Sequence, residues 1–233
     1  MESFRHQDMH AEESLGEFMD AYFYNRLKNY AGEIVKHKRM KDKESQLKGI
    51  DVCLEMDDKK YIIDEKASFY YSNAMIPTFA FEIDSIQKGH SMPTEGWFIN
   101  DELETQLYML IWPNVKCESK DKMWIRKSIG NLTKDDFTIV EAMLIYKNEI
   151  RREMARQGYS KARLIEIAAK IRSEEQGSNG TRREKLTNDI KIVYSGQLAE
   201  KPINLVISKN ILSNLAEKIY LIAPDGYGTI KGD

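Results

Sequence analysis

The sequence predicts an α/β fold, and three features of its apolar pattern carry that prediction. An amphipathic helical repeat comes first, two alternating strands joined by a polar turn follow it, and further strand-like runs lie on both sides of a charged helical stretch. Of 233 residues, 42% are hydrophobic and 31% charged, which supplies a sizeable core and excludes a disordered, collagen-like or coiled-coil chain.

The helix rests on Leu15, Phe18, Met19, Tyr22 and Phe23, whose helical spacing predicts one face packed on a sheet through about residue 30. A basic connector, His37-Lys38-Arg39-Met40-Lys41, comes next. Over 49–56, Ile50, Val52 and Leu54 alternate with Asp51, Cys53 and Glu55, the period of a strand. Asp57-Asp58-Lys59-Lys60 reads as a polar turn and Tyr61-Ile62-Ile63-Asp64-Glu65-Lys66 as the returning strand, so the pair is a β-hairpin.

Strand-like runs at 78–83, 96–100, 107–112 and 137–146 extend the sheet. From Lys147 the pattern turns helical: Gly158 is a stop, Ser160 an N-cap, and 161–175 a second helix. Strands at 190–194, 203–207 and 219–223 follow, with a helix at 209–216. Strand material on both sides of the helical stretch predicts one domain over 1–233, with a helical basic insertion at about 147–185.

Cys53 and Cys117 are too few for a disulfide framework and lack metal-ligand spacing, and no secretory leader pattern opens the sequence. A reduced, cytoplasmic compartment is the expectation. The longest uncharged stretch, 67–81, contains Ser68, Ser72, Asn73 and Pro77 and is too short for a bilayer, so no membrane partner is expected. The formal charge of −2 argues against a histone-like polyanion binder, but it is unevenly spread. Residues 147–185 hold eleven Lys and Arg against six Asp and Glu, a net of +5, which leaves −7 for the rest.

The hairpin carries the chemistry. Side chains alternate faces along a strand, so Asp51 emerges opposite the core side of Ile50 and Val52, next to Asp64 and Lys66. Two carboxylates at fixed separation offer hard oxygen ligands to Mg²⁺ or Mn²⁺, and magnesium takes only one or two protein carboxylates. A lysine beside them can orient a water or take its proton while neutralising a phosphate oxygen. The implied reaction is phosphodiester hydrolysis. A solvated hairpin face is the plainer reading of the same residues.

Gly49-Ile50-Asp51, followed thirteen positions later by Asp64-Glu65-Lys66 after an apolar run, resembles the PD-(D/E)xK nuclease superfamily. That resemblance implies a restriction-endonuclease-like mixed β-sheet flanked by helices, in the order α-β-β-β-α-β. It implies that Asp51 and Asp64 hold the metal, that the backbone carbonyl of Glu65 is a further ligand, and that Lys66 is the catalytic lysine. Some members place a glutamate of the first helix near the metal. Glu12 lies nearest the apolar stripe and is the candidate, ahead of Glu13 and Glu17. Gln106 and Tyr108 suggest a Gln and Tyr that the exonuclease branch carries on a helix, at a different spacing.

Together these readings describe a Mg²⁺- or Mn²⁺-dependent deoxyribonuclease, an endonuclease of the restriction or phage DNA-processing kind. The alternative is a noncatalytic nucleic-acid-binding module that retains the fold. Beside a phosphodiester site, Arg151, Arg152, Arg156, Lys161 and Arg163 become candidates for gripping the DNA backbone. Restriction-type enzymes commonly pair to cut both strands, so a homodimer is the assembly considered. Trp97, Trp112 and Trp124 are expected in buried packing more than on nucleic-acid bases.

Overall fold

A computed structural model of the chain describes residues 5–29, 31–56, 58–87, 89–90, 92–120 and 123–232. In chain order its elements are α1 (Arg5–Tyr22), β1 (Lys36–Arg39), α2 (Lys43–Leu47), β2 (Val52–Met56), β3 (Lys59–Ala67), β4 (Thr78–Ser85) and β5 (Thr94–Glu95). Next come β6 (Leu107–Val115), β7 (Cys117–Lys120), β8 (Met123–Arg126), β9 (Phe137–Tyr146), α3 (Lys147–Arg156) and α4 (Lys161–Glu174). The last are β10 (Thr181–Lys185), β11 (Ile190–Ser195), β12 (Ile203–Ser208), α5 (Lys209–Leu215), β13 (Lys218–Ala223) and β14 (Gly226–Lys231). The fold is mixed α/β.

The chain divides into two compact units. Among the described residues the larger is built from 5–76, Thr105–Ile145 and 216–232; the smaller takes Pro77–Glu104 and Tyr146–Leu215. Each unit has its own sheet, and strands of the two alternate along the chain, which is why the local pattern looked like one sheet.

The larger unit contains a seven-stranded mixed sheet in the order β1-β2-β3-β6-β9-β13-β14. Strands β1, β2 and β3 form an antiparallel meander, and β6 lies parallel to β3. Residues Leu107–Pro113 are all buried, as a central strand covered on both faces requires. Helix α1 lays Ala11, Leu15, Phe18 and Met19 into this core, where Phe18 meets Phe137 at 5.5 Å between ring centroids. The helix stops at Tyr22, short of residue 30, and a 3₁₀ turn at Tyr24–Arg26 follows. Tyr30 and Asp57, at the ends of the expected helix and turn, lie outside the described residues.

The smaller unit packs α3, α4 and α5 with a five-stranded sheet, β10-β11-β12-β4-β5, whose pairings are all antiparallel. Gly158 ends α3 at φ +91°, and the Ser160 side chain accepts from the Arg163 amide at the start of α4. Leu164, Ile167, Ala168 and Ile171 form the buried stripe of α4.

Three expectations differ here. Residues 181–185, read as the end of the helical stretch, are strand β10, because edge pairing with β11 prevails over local charge pattern. Residues 96–100 form a turn, in which Gly96 passes so close to β4 that a Cβ would sit 2.5 Å from the Glu82 carbonyl oxygen. The basic connector contains an edge strand, β1.

Candidate active site

The hairpin register decides the geometry. Val52 pairs with Ile63 and Cys53 with Ile62, so Asp51, one residue before β2, sits across from Asp64. The Asp51 amide donates to the Ile63 carbonyl at 3.0 Å, and its own carbonyl accepts from Met40 at 2.8 Å, which extends the ladder through this residue. Thr105 Oγ1 donates to the Gly49 carbonyl at 2.8 Å, and Gln106 bonds Ile62 through both its amide and its side-chain oxygen. These ties fix the hairpin against the start of β6. Nothing in the sequence flagged Thr105 for this task.

Asp51, Asp64 and Lys66 come together. One Asp51 oxygen, Oδ2, accepts from the Glu65 amide at 2.7 Å. The Asp64 carboxylate is almost wholly buried; its Oδ1 accepts from Lys66 Nζ, while its Oδ2 is buried without a hydrogen-bond partner. Burial and the neighbouring Asp51 carboxyl push Asp64 up to about 7 against the pull of Lys66. Burial opposes the charge of Lys66, but the carboxylates of Asp64, Asp51 and Glu12 outweigh it and hold the ammonium above its ordinary value. Glu12 is exposed on α1, and its charge reaches this lysine.

Glu65 points the other way. Tyr24 donates its hydroxyl to Glu65 Oε1 at 2.8 Å, and Arg39 Nη1 binds Oε2 at 2.6 Å. Arg39 also reaches Asp20 of α1 through Nε at 2.9 Å, and Gly16 leaves room for its guanidinium. Burial raises the Glu65 carboxyl above its usual range despite Arg39, and burial together with Glu65 raises the Tyr24 phenol. The expectation for Glu65 concerned only its backbone; this anchoring network escaped the sequence because Arg39 reads there as one of several solvated cations.

A divalent cation fits the donor set on the Asp64 face. Among the described residues no three His, Cys, Asp or Glu side chains gather as a self-sufficient metal site. Magnesium, however, asks for only one or two carboxylates, and a buried carboxyl oxygen without a partner beside a second carboxyl is a donor set it can use. Gln106 and Tyr108 lie at the start of β6, with Tyr108 beside Asp64 in the parallel ladder, so they do not reproduce a helical Gln-Tyr motif.

The five candidate DNA-binding cations belong to the smaller unit and all have carboxylate partners. Arg151 pairs with Asp101 at 2.6 Å and also binds the Phe98 carbonyl; Lys161 pairs with Asp101 at 2.7 Å and Glu95 at 2.9 Å. Arg152 pairs with Glu149, Arg156 with Glu153 at 2.8 Å and Arg163 with Glu166 at 3.0 Å, each three residues away on its own helix. The net basic charge is thus largely offset where it stands. No helix among the described residues is long and apolar enough to cross a membrane. No family model, curated protein or solved structure matches the chain.

Proposed function

We propose that this protein is a Mg²⁺- or Mn²⁺-dependent nuclease that hydrolyses DNA phosphodiester bonds, with a PD-(D/E)xK-type site at Asp51, Asp64 and Lys66. The observation that carries the reading is Asp64: a buried carboxyl beside Asp51, with one oxygen on Lys66 and the other unpartnered. A buried carboxyl set against a second carboxyl needs a shared proton or a cation between them, and a divalent ion supplies the latter.

The strand order supports the same reading. Helix α1, the antiparallel β1-β2-β3 meander and a parallel β6 beside β3 follow the order of that superfamily in part, with the short helix α2 interposed between β1 and β2. The connection from β3 to β6 departs from it by passing through the smaller unit in place of a single helix.

Asp51 and Asp64 would hold the metal through carboxylate oxygens, with the Glu65 backbone carbonyl as a further donor. Such an ion, when bound, would supply Lewis acidity toward water and phosphate. Lys66, held on Asp64, would orient a nucleophilic water and neutralise a nonbridging phosphate oxygen. Among the candidate grips, Arg152, Arg156 and Arg163 are the exposed ones and would reach phosphate by leaving their helical partners; Arg151 and Lys161 are held by Asp101. A homodimer is the assembly that cutting both strands would favour.

The test is cleavage of linear and circular DNA with Mg²⁺, Mn²⁺ or EDTA, alongside Asp64→Ala and Lys66→Ala. Metal-dependent cleavage lost in both variants supports the assignment, and opening of the circle supports an endonuclease. Cleavage that survives both substitutions sinks it. DNA binding without any cleavage turns the reading to a noncatalytic module with the same fold.

A further inference from the structure

Trp124, expected in a buried core, is 77% exposed. It stands on the β7–β8 hairpin of the larger unit, where it pairs with Ser119 across the ladder, and its neighbours Met123 and Ile125 are also exposed. A second exposed apolar set, Tyr70, Tyr71 and Met75, lies in the turn that follows β3. The two are joined: Arg126 Nη1 donates to the Phe69 carbonyl at 2.7 Å, and Asn73 clamps Val115 through both its oxygen and its nitrogen, at 2.7 and 2.9 Å.

These bonds make the turn rigid. Asn73 and Met75 hold positive φ values of 64° and 45°, and Met75 is kept 85% exposed. A methionine in that conformation pointing at water costs free energy and gains nothing for the core. Exposed aromatic and apolar groups held in place signal an interaction surface.

We infer that this turn and hairpin form a stacking platform for single-stranded nucleic acid, with Trp124 and Tyr71 as the base-contacting rings. Charge selects the occupant. Among the described residues of this hairpin and its flanks, Lys116, Lys120 and Arg126 stand against Glu118, while Lys127 is paired with Asp136 at 2.7 Å, a local excess of positive charge in a chain whose total is −2. Aromatic rings interleaved with cations are the means by which proteins hold unpaired bases and their phosphates together. In a duplex the base faces are already stacked, so an unpaired strand is the form these rings can take up.

Location gives the surface its use, and this part rests on the nuclease reading. Phe69 follows Lys66 by three residues, which places the platform's anchor within about 11 Å of chain from the proposed catalytic lysine. On the nuclease reading, the strand held on Trp124 and Tyr71 is the one delivered to the Asp51 and Asp64 pair. The substrate class is then DNA with an unpaired segment: a single strand, a flap or a frayed end.

The test is fluorescence titration of the full chain in EDTA, which stops metal-dependent cleavage, with an oligothymidylate of about 20 nucleotides, longer than typical site sizes, and with a duplex of equal length. Circular dichroism checks that each variant is folded. The single strand is expected to quench Trp fluorescence and to bind more tightly than the duplex. Trp124→Ala and Tyr71→Ala should each weaken binding about tenfold or more, and Trp124→Phe should restore most of it. Unchanged affinity in both alanine variants overturns the inference, as does a self-association that Trp124→Ala abolishes. Cleavage that requires Asp64, with binding indifferent to Trp124, leaves the nuclease and removes the platform. Trp124-dependent binding with no cleavage keeps the platform and removes the nuclease.

Discussion

Asp64 and Glu65 are consecutive acidic residues of one strand, the first buried and the second nearly so, and they meet opposite conditions on the two faces of β3. On the Glu65 face every demand is met: Tyr24 and Arg39 serve its two oxygens, and Asp20 serves Arg39 in turn. On the Asp64 face a second carboxyl stands alongside, one oxygen has a lysine and the other has nothing. A satisfied buried carboxylate is a fastening, whereas an unsatisfied one is a site in want of a ligand. That contrast separates structure from function at adjacent positions, where residue type alone cannot.

The contrast is open to experiment. The largest effect is expected in catalysis: Asp64→Ala should reduce metal-dependent cleavage on the order of 10³-fold, and Lys66→Ala by about 10²-fold, in single-turnover assays of folded protein. Loss of cleavage from Glu65→Gln matching that from Asp64→Ala would erase the distinction between the faces. Next comes stability. Glu65→Ala leaves the half-buried Arg39 with half its partners and should cost about 2–3 kcal/mol, a fall in Tm of about 5 °C or more. Calorimetry that finds Asp64→Ala equally destabilising would break the contrast from the other side.

A third effect depends on pH. The folded Asp64 carboxyl, raised by burial from its ordinary value of 3.8 to about 7, keeps its proton where the unfolded chain has lost it. Without metal, its contribution should therefore fall as pH rises from about 4 to about 7, by up to about 4 kcal/mol. Asp64→Asn should flatten this part of a denaturation profile, and Mg²⁺ should restore stability above pH 7 in the parent chain. A parent profile identical to that of Asp64→Asn would contradict it.

The smallest effect concerns Gly16→Ala. An alanine in a helix ordinarily gains about 1 kcal/mol over glycine, but here its Cβ would sit 3.1 Å from the Arg39 guanidinium carbon. With Arg39 fixed between Asp20 and Glu65, the gain should vanish; a full gain in Tm would mean that the Glu65 face is looser than its bonds suggest.

Much of this was legible beforehand, for reasons that can be named. The period of two over 49–66 set the hairpin, and alternation put Asp51 on the side of Asp64 before any register was known. Gly158 and Ser160 announced the break between α3 and α4. The edge strands β1, β10 and β14 were not legible, because sequences such as Lys-His-Lys-Arg and Thr-Arg-Arg-Glu-Lys carry no buried face to give an apolar period. Trp124 misled because tryptophan usually contributes area to a core, and only the fold says when it does not. The network of Arg39 depends on contacts from α1, a pairing that no local pattern encodes.

The interleaving of the two units has a consequence for how the chain acquires its shape. Strand β3 must wait for β6 while Pro77–Glu104 intervenes, and β9 must wait for β13 while Tyr146–Leu215 intervenes. Neither unit is a contiguous stretch, so a ribosome cannot release one finished before the other has begun. Closing long loops costs little more than closing moderate ones at equilibrium, since each doubling adds about 0.6 kcal/mol. The rate pays instead, because sheet pairings between distant residues form late and leave sticky edges open meanwhile. Such a chain should fold slowly and lean on chaperones during synthesis, and no single cut can yield either unit whole.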